Sequence, residues 1–475
     1  MNNEEDIKFE NYIKGEAKLN SEKQYIIESS CYFDGNKDNF KRHYDENKIL
    51  EIHLNNMVFE EDLSFDNVKK LSLIINDNVK FQRLCIFGCN ELSLRINGRV
   101  KIIDKISINN CKFKQISINN HIDGNIEFQK CEFNDFDLYG FSNATIKGAF
   151  TFDFCELKEK VNFMNFEFEN KVSFKMSKFK DNIYFNNSHF KDYAYFHECE
   201  FEKTACFYGV RFDKAPNFSQ AIFKGNLNAV NANLNFTFDD LQERIKQEYE
   251  DFNKNIENKK SLDKFANDFR DSFRTFKNAL IKDNNLLDAS NFHKYELYCK
   301  ELELKNKKGK TFKDVVDRWQ LLFYRKLCDH HTNLILNLKW FIVIVGFFAS
   351  ILFALRYGDG NLMQFFNKDN DLLKILKNIL NINALNDSGA VYLIAMYSFI
   401  GLFFVRTFFI FYYLVIFILM LAISPYNLFS MINFAIRHET NSFLENIIII
   451  IYTLSMVLII FSLQKTARKN SIVPS

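Results

Sequence analysis

The chain has 475 residues, which is enough for two or more domains. Its 61 basic residues nearly balance 59 acidic residues, so the net charge gives no argument for a nucleic-acid partner. Ten scattered cysteines form no paired CxxC clusters, and the start lacks the basic and apolar segments of a secretory signal. These features indicate a reduced cytosolic location for the first half of the chain.

The first predicted elements are a cap and the beginning of a repeat. Residues 1–49 are polar and irregular, and we interpret them as an N-terminal cap. From about Leu50, short triplets of apolar, polar and apolar residues begin, as in Leu71-Ser72-Leu73. Their spacing varies at first and then settles towards five residues. We therefore expect a repeat domain over residues 50–235 whose early coils carry longer loops.

A phenylalanine returns between Val161 and Phe223 at steps that alternate between five and six residues. The twelve positions are Phe163, Phe168, Phe174, Phe179, Phe185, Phe190, Phe196, Phe201, Phe207, Phe212, Phe218 and Phe223. Neither helical nor strand periodicity fits this spacing, whereas a chain that turns a corner once per repeat does. We therefore predict that these phenylalanines point inward and form the structural core.

Four repeats of five, six, five and six residues give a coil of 22 residues with four faces. Residues 22 positions apart then stack, so Phe163 and Phe185 are predicted to share an inward column. Adjacent coils are expected about 4.8 Å apart, the spacing of hydrogen-bonded strands. On the outside, the same count predicts a ladder of charge-compatible neighbours that contains Glu167, His189 and Arg211.

The repeat resembles the pentapeptide-repeat family in a Phe-rich variant, through motifs such as Ser188-His189-Phe190, Cys199-Glu200-Phe201 and Ala205-Cys206-Phe207. The resemblance implies a right-handed quadrilateral β-solenoid. Some solenoids of this family imitate DNA with a strongly acidic surface, but the span from Lys101 to Phe236 holds 17 basic and 17 acidic residues. We therefore expect no nucleic-acid mimicry, and the resemblance transfers the fold without a particular function.

Residues 236–335 are predicted to form an amphipathic helical linker. Ser261 is a plausible N-cap for a helix with apolar residues at i, i+3, i+4 and i+7, and a second helix is expected from about Leu287 to Leu304. The two helices predict an antiparallel hairpin that could cover the open end of the solenoid. Glu296 and Lys300 stand at i,i+4 spacing, and we interpret them as a pair on a solvated helix face.

Residues 336–475 are predicted to form an α-helical transmembrane domain. Four apolar runs qualify as spans, at residues 338–356, 389–405, 407–423 and 447–463. Basic residues precede the first run and follow the last, so both ends prefer the cytoplasm and an even number of spans is required. The alternative is an odd number, in which one long tilted helix passes through Arg406.

Several polar features near these spans are candidates for chemistry. His330 and His331 are weak candidates for metal ligands, because neighbouring residues on a helix point about 100° apart. The alternative is that they form a polar collar at the lipid headgroups. Residues 372–385 are amphipathic and predict an interfacial helix, with a re-entrant helix as the alternative. Arg406 is either a turn residue or a functional charge within the membrane. Residues 357–360 match a potassium filter only superficially.

Phosphate-binding loops, nucleophile elbows and paired carboxylates do not stand out in the sequence, so we predict neither an enzyme nor a cofactor. Residues 323–332 resemble the junction found in bacterial membrane proteins with Phe-rich pentapeptide repeats. The sequence therefore predicts a multi-pass protein of the bacterial inner (cytoplasmic) membrane, with the solenoid and the C-terminus in the cytoplasm.

Two functions remain open. In the first, the solenoid is a protein-binding scaffold at the cytoplasmic face, with membrane lipid and an unidentified protein as partners. In the second, the spans oligomerise, as a homo-oligomer, into a channel or transporter-like protein that the solenoid assembles or gates. Arg406 and residues 372–385 motivate the second function.

Overall fold

The computed structural model describes residues 18–19, 25–28, 31–34, 49–97, 100–118, 123–134, 136–137, 145–254, 259–357, 399, 401 and 443–468. The chain divides into two compact units, Met1–Arg318 and Trp319–Pro474. The first unit contains a β-solenoid of about eight turns followed by helices, and the β-solenoid expected from the repeat is thereby confirmed. The second unit contains long apolar helices.

Four sheets run along the solenoid, and their strands are parallel except for one antiparallel pair at residues 18–27. Sheet A consists of Lys18–Leu19, Tyr25–Ile27, Cys31–Asp34, Met57–Asp66, Val79–Phe87, Val100–Asn109, Asp123–Gln129, Phe150–Asp153, Val172–Ser173 and Ala194–Tyr195. Sheet B consists of Leu50–Leu54, Lys70–Ile75, Glu91–Ile96, Lys112–Ile118, Glu132–Phe133, Phe136–Asp137, Glu156–Leu157, Lys178–Phe179, Glu200–Phe201 and Ile222–Phe223.

The other two sheets occur only in the later coils. Sheet C consists of Thr145–Ile146, Glu167–Phe168, His189–Phe190, Arg211–Phe212 and Asn233–Leu234. Sheet D consists of Val161–Asn162, Ile183–Tyr184, Ala205–Cys206 and Leu227–Asn228. Along the chain, a later coil visits sheets A, B, D and C in turn, with a two-residue strand in most of them.

Where the structure describes them, the early coils are built from long strands. Lys70–Ile75 alternates between half-buried and buried side chains along its whole length, as a strand with one inward face must. The strand Met57–Asp66 has a register shift between Phe59 and Asp62, so it bends within one continuous strand. The expectation of longer early loops stays a prediction, since residues 98–99, 119–122 and 138–144, between the early strands, lie outside the described residues.

The register of the strands fixes the length of a coil. In the early coils, Leu50 pairs with Leu71 and Leu71 with Leu92, which is a step of 21 residues. In the later coils, Lys178 pairs with Glu200 and Glu200 with Ile222, which is the predicted step of 22. Within the segment interpreted as a cap, Tyr25–Ile27 and Cys31–Asp34 pair with Met57–Asp66 and extend sheet A.

One corner continues through early and late coils alike. Its residues have positive φ angles and occupy one position per coil, namely Asn67, Gly88, Asn110, Lys130, Phe154, Met176, Glu198 and Gln220. The amide of each of the first seven donates to a carbonyl of the next coil, as from Met176 to His197 at 2.9 Å. The corner between sheets D and C is built in the same way from Asn165, Asn187, Gly209 and Asn231. Asparagine and glycine suit these corners because they tolerate left-handed backbone.

Within the described residues, six helices follow the solenoid. They are α1 (Phe238–Asn253), α2 (Leu262–Lys282), α3 (Leu286–Asn306), α4 (Phe312–Cys328), α5 (Leu334–Tyr357) and α6 (Phe443–Ala467). The helix α1 begins with a capping box between Thr237 and Asp240, and α3 begins with Asn285, whose side chain accepts from the amide of Asp288. Ser261 is the N-cap of α2, where its side chain makes no capping hydrogen bond.

The helices α2 and α3 form an antiparallel hairpin at the end of the solenoid. The ring of Phe276 lies 4.7 Å from that of Phe218 and 5.3 Å from that of Phe292, centroid to centroid. The Tyr295 hydroxyl donates to the carbonyls of Leu234 and Phe236, at 3.1 and 2.8 Å. The hairpin therefore covers the last coil and satisfies backbone groups that would otherwise lie at an open sheet end.

Candidate functional site

The interior of the solenoid is filled by phenylalanine columns and is closed to any ligand. Eleven of the twelve repeat phenylalanines are buried, and Phe223, in the last strand of sheet B, is half-buried. Phe163, Phe185 and Phe207 stack with ring centroids 5.2 and 5.1 Å apart and planes nearly parallel. Since each ring contacts the coil above and the coil below, the interior has a structural role and recognition must use the outside.

A second column, of thiols, closes the corner between sheets A and B. Its members are Cys89, Cys111, Cys131, Cys155 and Cys199, with Ser177 in the remaining coil, and all are buried. The Cys199 thiol donates to the Phe174 carbonyl at 2.7 Å, as the Ser177 hydroxyl does to the Phe152 carbonyl at 2.5 Å. Burial raises the pKa of the Cys199 thiol and raises that of Cys89 to about 11, which disfavours the reactive thiolate at these two positions.

On the outer surfaces of sheets B and C, acidic and basic side chains pair with one another. On sheet B, Glu200 pairs with Lys224 and, at 2.9 Å, with Lys178, and hydrogen bonds from these two lysines lower the pKa of Glu200 to about 2. On sheet C, the Glu167, His189 and Arg211 ladder has the predicted register. Its charges, however, also pair with residues two positions along, as in His189 with Asp213 at 2.6 Å. These charges are engaged with one another.

Near the end of the solenoid, the outer surface of sheet A is covered by α1. The buried guanidinium of Arg244 stacks over the rings of Tyr193 and Tyr195, at 4.1 and 4.4 Å from their centroids. Asn217 donates to Glu248 at 3.3 Å. Burial raises the pKa of Tyr195 to about 12. This surface is therefore an internal contact and leaves no room for a partner at these coils.

The outer surface of sheet D differs from the other three because none of its own outward residues is charged. Its eight outward positions are Asn162, Met164, Tyr184, Asn186, Cys206, Tyr208, Asn228 and Val230. Met164 and Tyr208 are exposed, and Tyr184 is half-buried with the Lys160 amine 4.9 Å from its ring centroid. We call these eight residues the sheet D surface. Uncharged polar groups beside tyrosines are typical of protein interfaces.

Glu296 belongs to a buried charge cluster between α2 and α3. Its carboxylate accepts from Arg274 at 3.0 Å, from Lys277 at 2.8 Å and from His293 at 3.2 Å, while Lys300 pairs with Glu303 instead. Burial raises the pKa of Glu296, but the hydrogen bonds from its three partners outweigh burial, so the pKa is lowered to about 2. The interpretation of Glu296 and Lys300 as a pair on a solvated face is therefore wrong.

His330 and His331 lie in a turn between helices, where our argument had placed them on a helix. The helix α4 ends at Cys328, and the next three residues, Asp329 to His331, all have positive φ angles. Both histidines are buried, and His331 Nδ1 lies 3.4 Å from Cys328 Sγ and 3.4 Å from Thr466 Oγ1. Within the described residues, no group of three or more His, Cys, Asp or Glu side chains could hold a metal ion.

The same buried region joins α5 to α6. The Asn337 side-chain amide donates to Ser462 at 2.8 Å and to Thr466 at 3.2 Å, and all three side chains are buried. Further along, the rings of Phe348 and Tyr452 lie 5.2 Å apart. From the first contact to the second, the residue number rises on α5, from 337 to 348, and falls on α6, from 462 to 452. The two helices are therefore antiparallel, and their polar ends lie together.

The outward sides of these two helices are apolar. In α6, residues 446–467 are long and apolar enough to cross a membrane, and 22% of their most apolar window is buried. Among the described residues no other helix meets that criterion, and α5 contributes a shorter apolar stretch over Leu334–Phe348. The predicted spans at 389–405 and 407–423, the segment 372–385 and Arg406 lie outside the described residues, apart from Phe399 and Gly401.

Sequence reasoning missed the Glu296 cluster, the Asn337 contacts and the sheet D surface. A signal for the first was present, because Arg274, Lys277 and Glu296 lie on the facing sides of two predicted helices. Asparagine at the start of an apolar run was a signal for the second. Listing the outward residues by face, at steps of 22, would have shown the third.

The first unit thus contains a β-solenoid closed at one end by α2 and α3, and the second unit contains an apolar helix pair. Residues 152–200 match the family model for Pentapeptide repeats (9 copies), so this segment carries pentapeptide repeats. The matched residues are those in which the strands are two residues long and all four sheets are present. No curated protein and no solved structure matches the chain.

Proposed function

We propose that the chain is a scaffold of the bacterial inner membrane, whose right-handed quadrilateral solenoid binds a protein partner in the cytoplasm. The observation that carries this proposal is the sheet D surface, a continuous uncharged strip with exposed Tyr208 and Met164. The outward charges of sheet B pair with each other, as do those of sheet C, and α1 covers sheet A near the end of the solenoid. Sheet D is thus the outer surface with the composition of a protein interface.

Desolvation is the energetic reason to expect a partner on sheet D and not on sheet B or C. A partner that covers sheet B or C must strip water from paired charges, which costs more than the pairs return. A partner on sheet D desolvates amides and tyrosine rings, which can be matched by hydrogen bonds and aromatic packing. The rigid stacking of the coils holds these side chains in place, so little conformational entropy is lost on binding.

Membrane anchoring is supported by the helix pair. The helices α5 and α6 expose apolar side chains such as Ile335, Phe347 and Phe461, which would be costly in water. Their antiparallel contact brings the start of α5 and the end of α6 to the same side, where Lys339 and Lys465 lie. Basic residues at both ends favour the cytoplasm and an even number of spans, and four spans remain our proposal.

The test compares two substitutions of the same kind on different sheets. Tyr184→Glu introduces a charge into the sheet D surface, whereas Ile222→Glu introduces one at an exposed position of sheet B. Each full-length variant is purified from native membranes after mild cross-linking, and the co-purifying proteins are identified by mass spectrometry. We expect Tyr184→Glu to lose a specific protein that Ile222→Glu and the unmodified chain retain.

A deletion of residues 60–235 provides the broader control. If the deletion variant keeps the same co-purifying proteins as the full chain, the solenoid does not bind a partner and the proposal fails. If the deletion loses a protein that Tyr184→Glu keeps, the solenoid binds through another surface and the assignment to sheet D is wrong.

The alternative function is an oligomeric channel or transporter-like protein that the solenoid assembles or gates. The residues that motivated it, Arg406 and residues 372–385, lie outside the described part of the chain. Ion flux across liposomes that contain the purified protein separates the two functions. The scaffold requires no flux above that of empty liposomes, whereas the channel requires flux that depends on Arg406.

A further inference from the structure

The helix α4 carries an exposed apolar stripe along its whole length. Phe312, Val315, Val316, Trp319 and Phe323 follow the spacing i, i+3, i+4, i+7 and i+11, so they share one side of the helix. Phe312 is 85% exposed and Trp319 is 66% exposed. We call these five residues the α4 stripe. Exposing two large aromatic rings and a tryptophan on one helix is unfavourable in water, so the stripe is a surface made for an apolar environment.

The flanks of the stripe are basic. The helix contains Lys313, Arg318, Arg325 and Lys326 and only two acidic residues, Asp314 and Asp317. The carboxylate of Asp314 is already bound by Lys307, at 2.9 Å, and by the amide and hydroxyl of Thr311. An apolar stripe between basic flanks matches the two layers of an anionic membrane surface, the acyl chains and the phosphate headgroups.

The helix α4 is also tied to the start of the first apolar helix. The Trp340 indole donates to the carbonyl of Lys326 at 2.8 Å, and the residues between α4 and α5 include a turn at 329–331 whose φ angles are all positive. One short turn therefore separates α4 from the start of α5, where Leu334 and Ile335 are exposed. This continuity indicates the occupant, because the medium that surrounds α5 also lies at the end of α4.

We propose that α4 lies in the headgroup region of the cytoplasmic leaflet, with the α4 stripe immersed in the acyl-chain boundary of an anionic bilayer. The proposal rests on the membrane anchoring proposed above. It adds a specific lipid-docking surface outside the spans. Tryptophan suits this depth because its ring is apolar and its N–H remains near water.

Trp319 and Trp340 are the two tryptophans of the chain, which makes a direct test possible. The full chain is reconstituted into vesicles of phosphatidylcholine and phosphatidylglycerol whose acyl chains carry bromine at a shallow or a deep position. Trp340→Phe leaves Trp319 as the sole fluorophore, and Trp319→Phe leaves Trp340. Bromine quenches tryptophan only on contact, so the loss of intensity reports the depth of each ring.

The inference predicts that shallow bromine quenches Trp319 and that deep bromine quenches it less. In the Trp340→Phe background, Phe323→Glu should reduce this quenching, because it places a charge in the α4 stripe. Gln320→Glu adds the same charge at an exposed polar position of the same helix and should reduce it less. Replacing phosphatidylglycerol with phosphatidylcholine should weaken the quenching of Trp319 and leave that of Trp340 unchanged.

The remaining outcomes separate this inference from the proposal on which it rests. If Trp340 is quenched and Trp319 is not, the chain is anchored but α4 does not touch lipid, and the inference is overturned. If bromine fails to quench Trp319 while the protein also shields it from aqueous acrylamide, a protein surface or a second copy covers the stripe, which overturns it too. If neither tryptophan is quenched, the membrane anchoring itself is wrong.

Discussion

Residues 50–137 and residues 145–234 build the same interior from different strands. In the early coils, a continuous strand of seven residues, Lys112–Ile118, pairs first with Glu132–Phe133 and then with Phe136–Asp137. In the later coils, the corresponding residues form separate two-residue strands in sheets B and D, as in Glu156–Leu157 and Val161–Asn162. Both regions step by 21 or 22 residues in most coils and keep the corner between sheets A and B.

This difference shows that the coil, and not the pentapeptide, is the conserved unit of the architecture along this chain. A long strand that bends at a register shift covers the same two faces as two short strands with a corner between them. The five-residue pattern arises only where a sharp corner separates two short strands, because each such corner changes which residues of the next strand point inward. Four variants, in order of decreasing expected effect, test how far the two regions are equivalent.

The largest effect is expected from Phe185→Ala. Its ring is fully buried between Phe163 and Phe207, so the substitution leaves a cavity and should cost roughly 3 to 5 kcal/mol. Hydrogen exchange of the full chain should show lost protection in the neighbouring later coils, because stability passes between adjacent coils. The strand Lys70–Ile75 should keep its protection, since six continuous residues hold it in the ladder.

Two controls accompany Phe185→Ala. The outward Tyr184→Ala should stay within about 1 kcal/mol. Leu73→Ala places a cavity in a fully buried early position, with a cost of about 2 to 5 kcal/mol and less spread to other coils. Equal losses for Phe185→Ala and Tyr184→Ala would falsify the inward register, and equal spread for Phe185→Ala and Leu73→Ala would mean that strand length does not matter.

The second effect concerns the hairpin that covers only the later coils. Glu296→Gln leaves Arg274 and Lys277 without their buried counter-charge and should cost about 3 kcal/mol. Since the pKa of Glu296 is lowered from 4.5 to about 2, its contribution is complete above about pH 4.5 and is lost as the pH falls towards 2. Denaturant unfolding at pH 7 and pH 3 should show that the variant loses part of the pH dependence of the unmodified chain.

The matched control for this variant is Glu250→Gln, at an exposed pair with Lys246, which should change stability by less than about 0.5 kcal/mol. If Glu296→Gln is equally mild, the cluster does not stabilise the hairpin. Retention of the full pH dependence in Glu296→Gln would instead assign that dependence to another carboxylate.

The third effect concerns the corner between sheets D and C, which both regions share, since Asn56 and Asn78 have positive φ angles at the corresponding corner of the early coils. Gly209 has a φ of 64°, so Gly209→Ala should cost about 1 to 2 kcal/mol. Asparagine occupies this position in the adjacent coils, and Gly209→Asn should cost less. Gly309, with a φ of 67° and open space around it, isolates the backbone cost when changed to Ala. A larger loss for Gly209→Asn than for Gly209→Ala contradicts this account of the corner.

The smallest effect is expected from substitutions of paired charges on the outer surface of the solenoid. Glu200→Gln removes paired charges on sheet B, but water screens them, so the free energy of unfolding should change by no more than about 1 kcal/mol. The early pair of Arg83 with Asp104 at 2.7 Å offers the comparison, through Asp104→Asn. Both variants should become indistinguishable from the unmodified chain at high salt, as measured by urea unfolding. A salt-independent loss would point to a packing role.

The sequence was sufficient to predict the later coils because phenylalanine recurs at one inward position of each face. The twelve residues from Phe163 to Phe223 repeat one large residue type at steps of five and six, which is visible without an alignment. The early coils use leucine and isoleucine on strands without sharp corners, as in Leu71 and Leu73, so their spacing does not reveal the bend. That bend depends on pairing with the neighbouring coil, which local sequence does not encode.

The candidate sites were harder to predict for the same reason. The Glu296 cluster depends on the packing of α2 against α3, and the contact of Asn337 with Ser462 joins residues 125 positions apart. His331 lies in a turn of left-handed residues, although histidine and aspartate give only a weak signal for it. Spacing along one helix therefore suggested the wrong geometry for His330 and His331.

The thiol column gives the solenoid built-in reporters of its own opening. The five cysteines of the column, Cys89, Cys111, Cys131, Cys155 and Cys199, lie in different coils, and each is sealed while its coil is closed and becomes available for alkylation when it opens. The order in which these five thiols are labelled in mild denaturant reads out the direction in which the coils separate. The protein thus allows the unwinding of a β-solenoid to be followed coil by coil without an introduced probe.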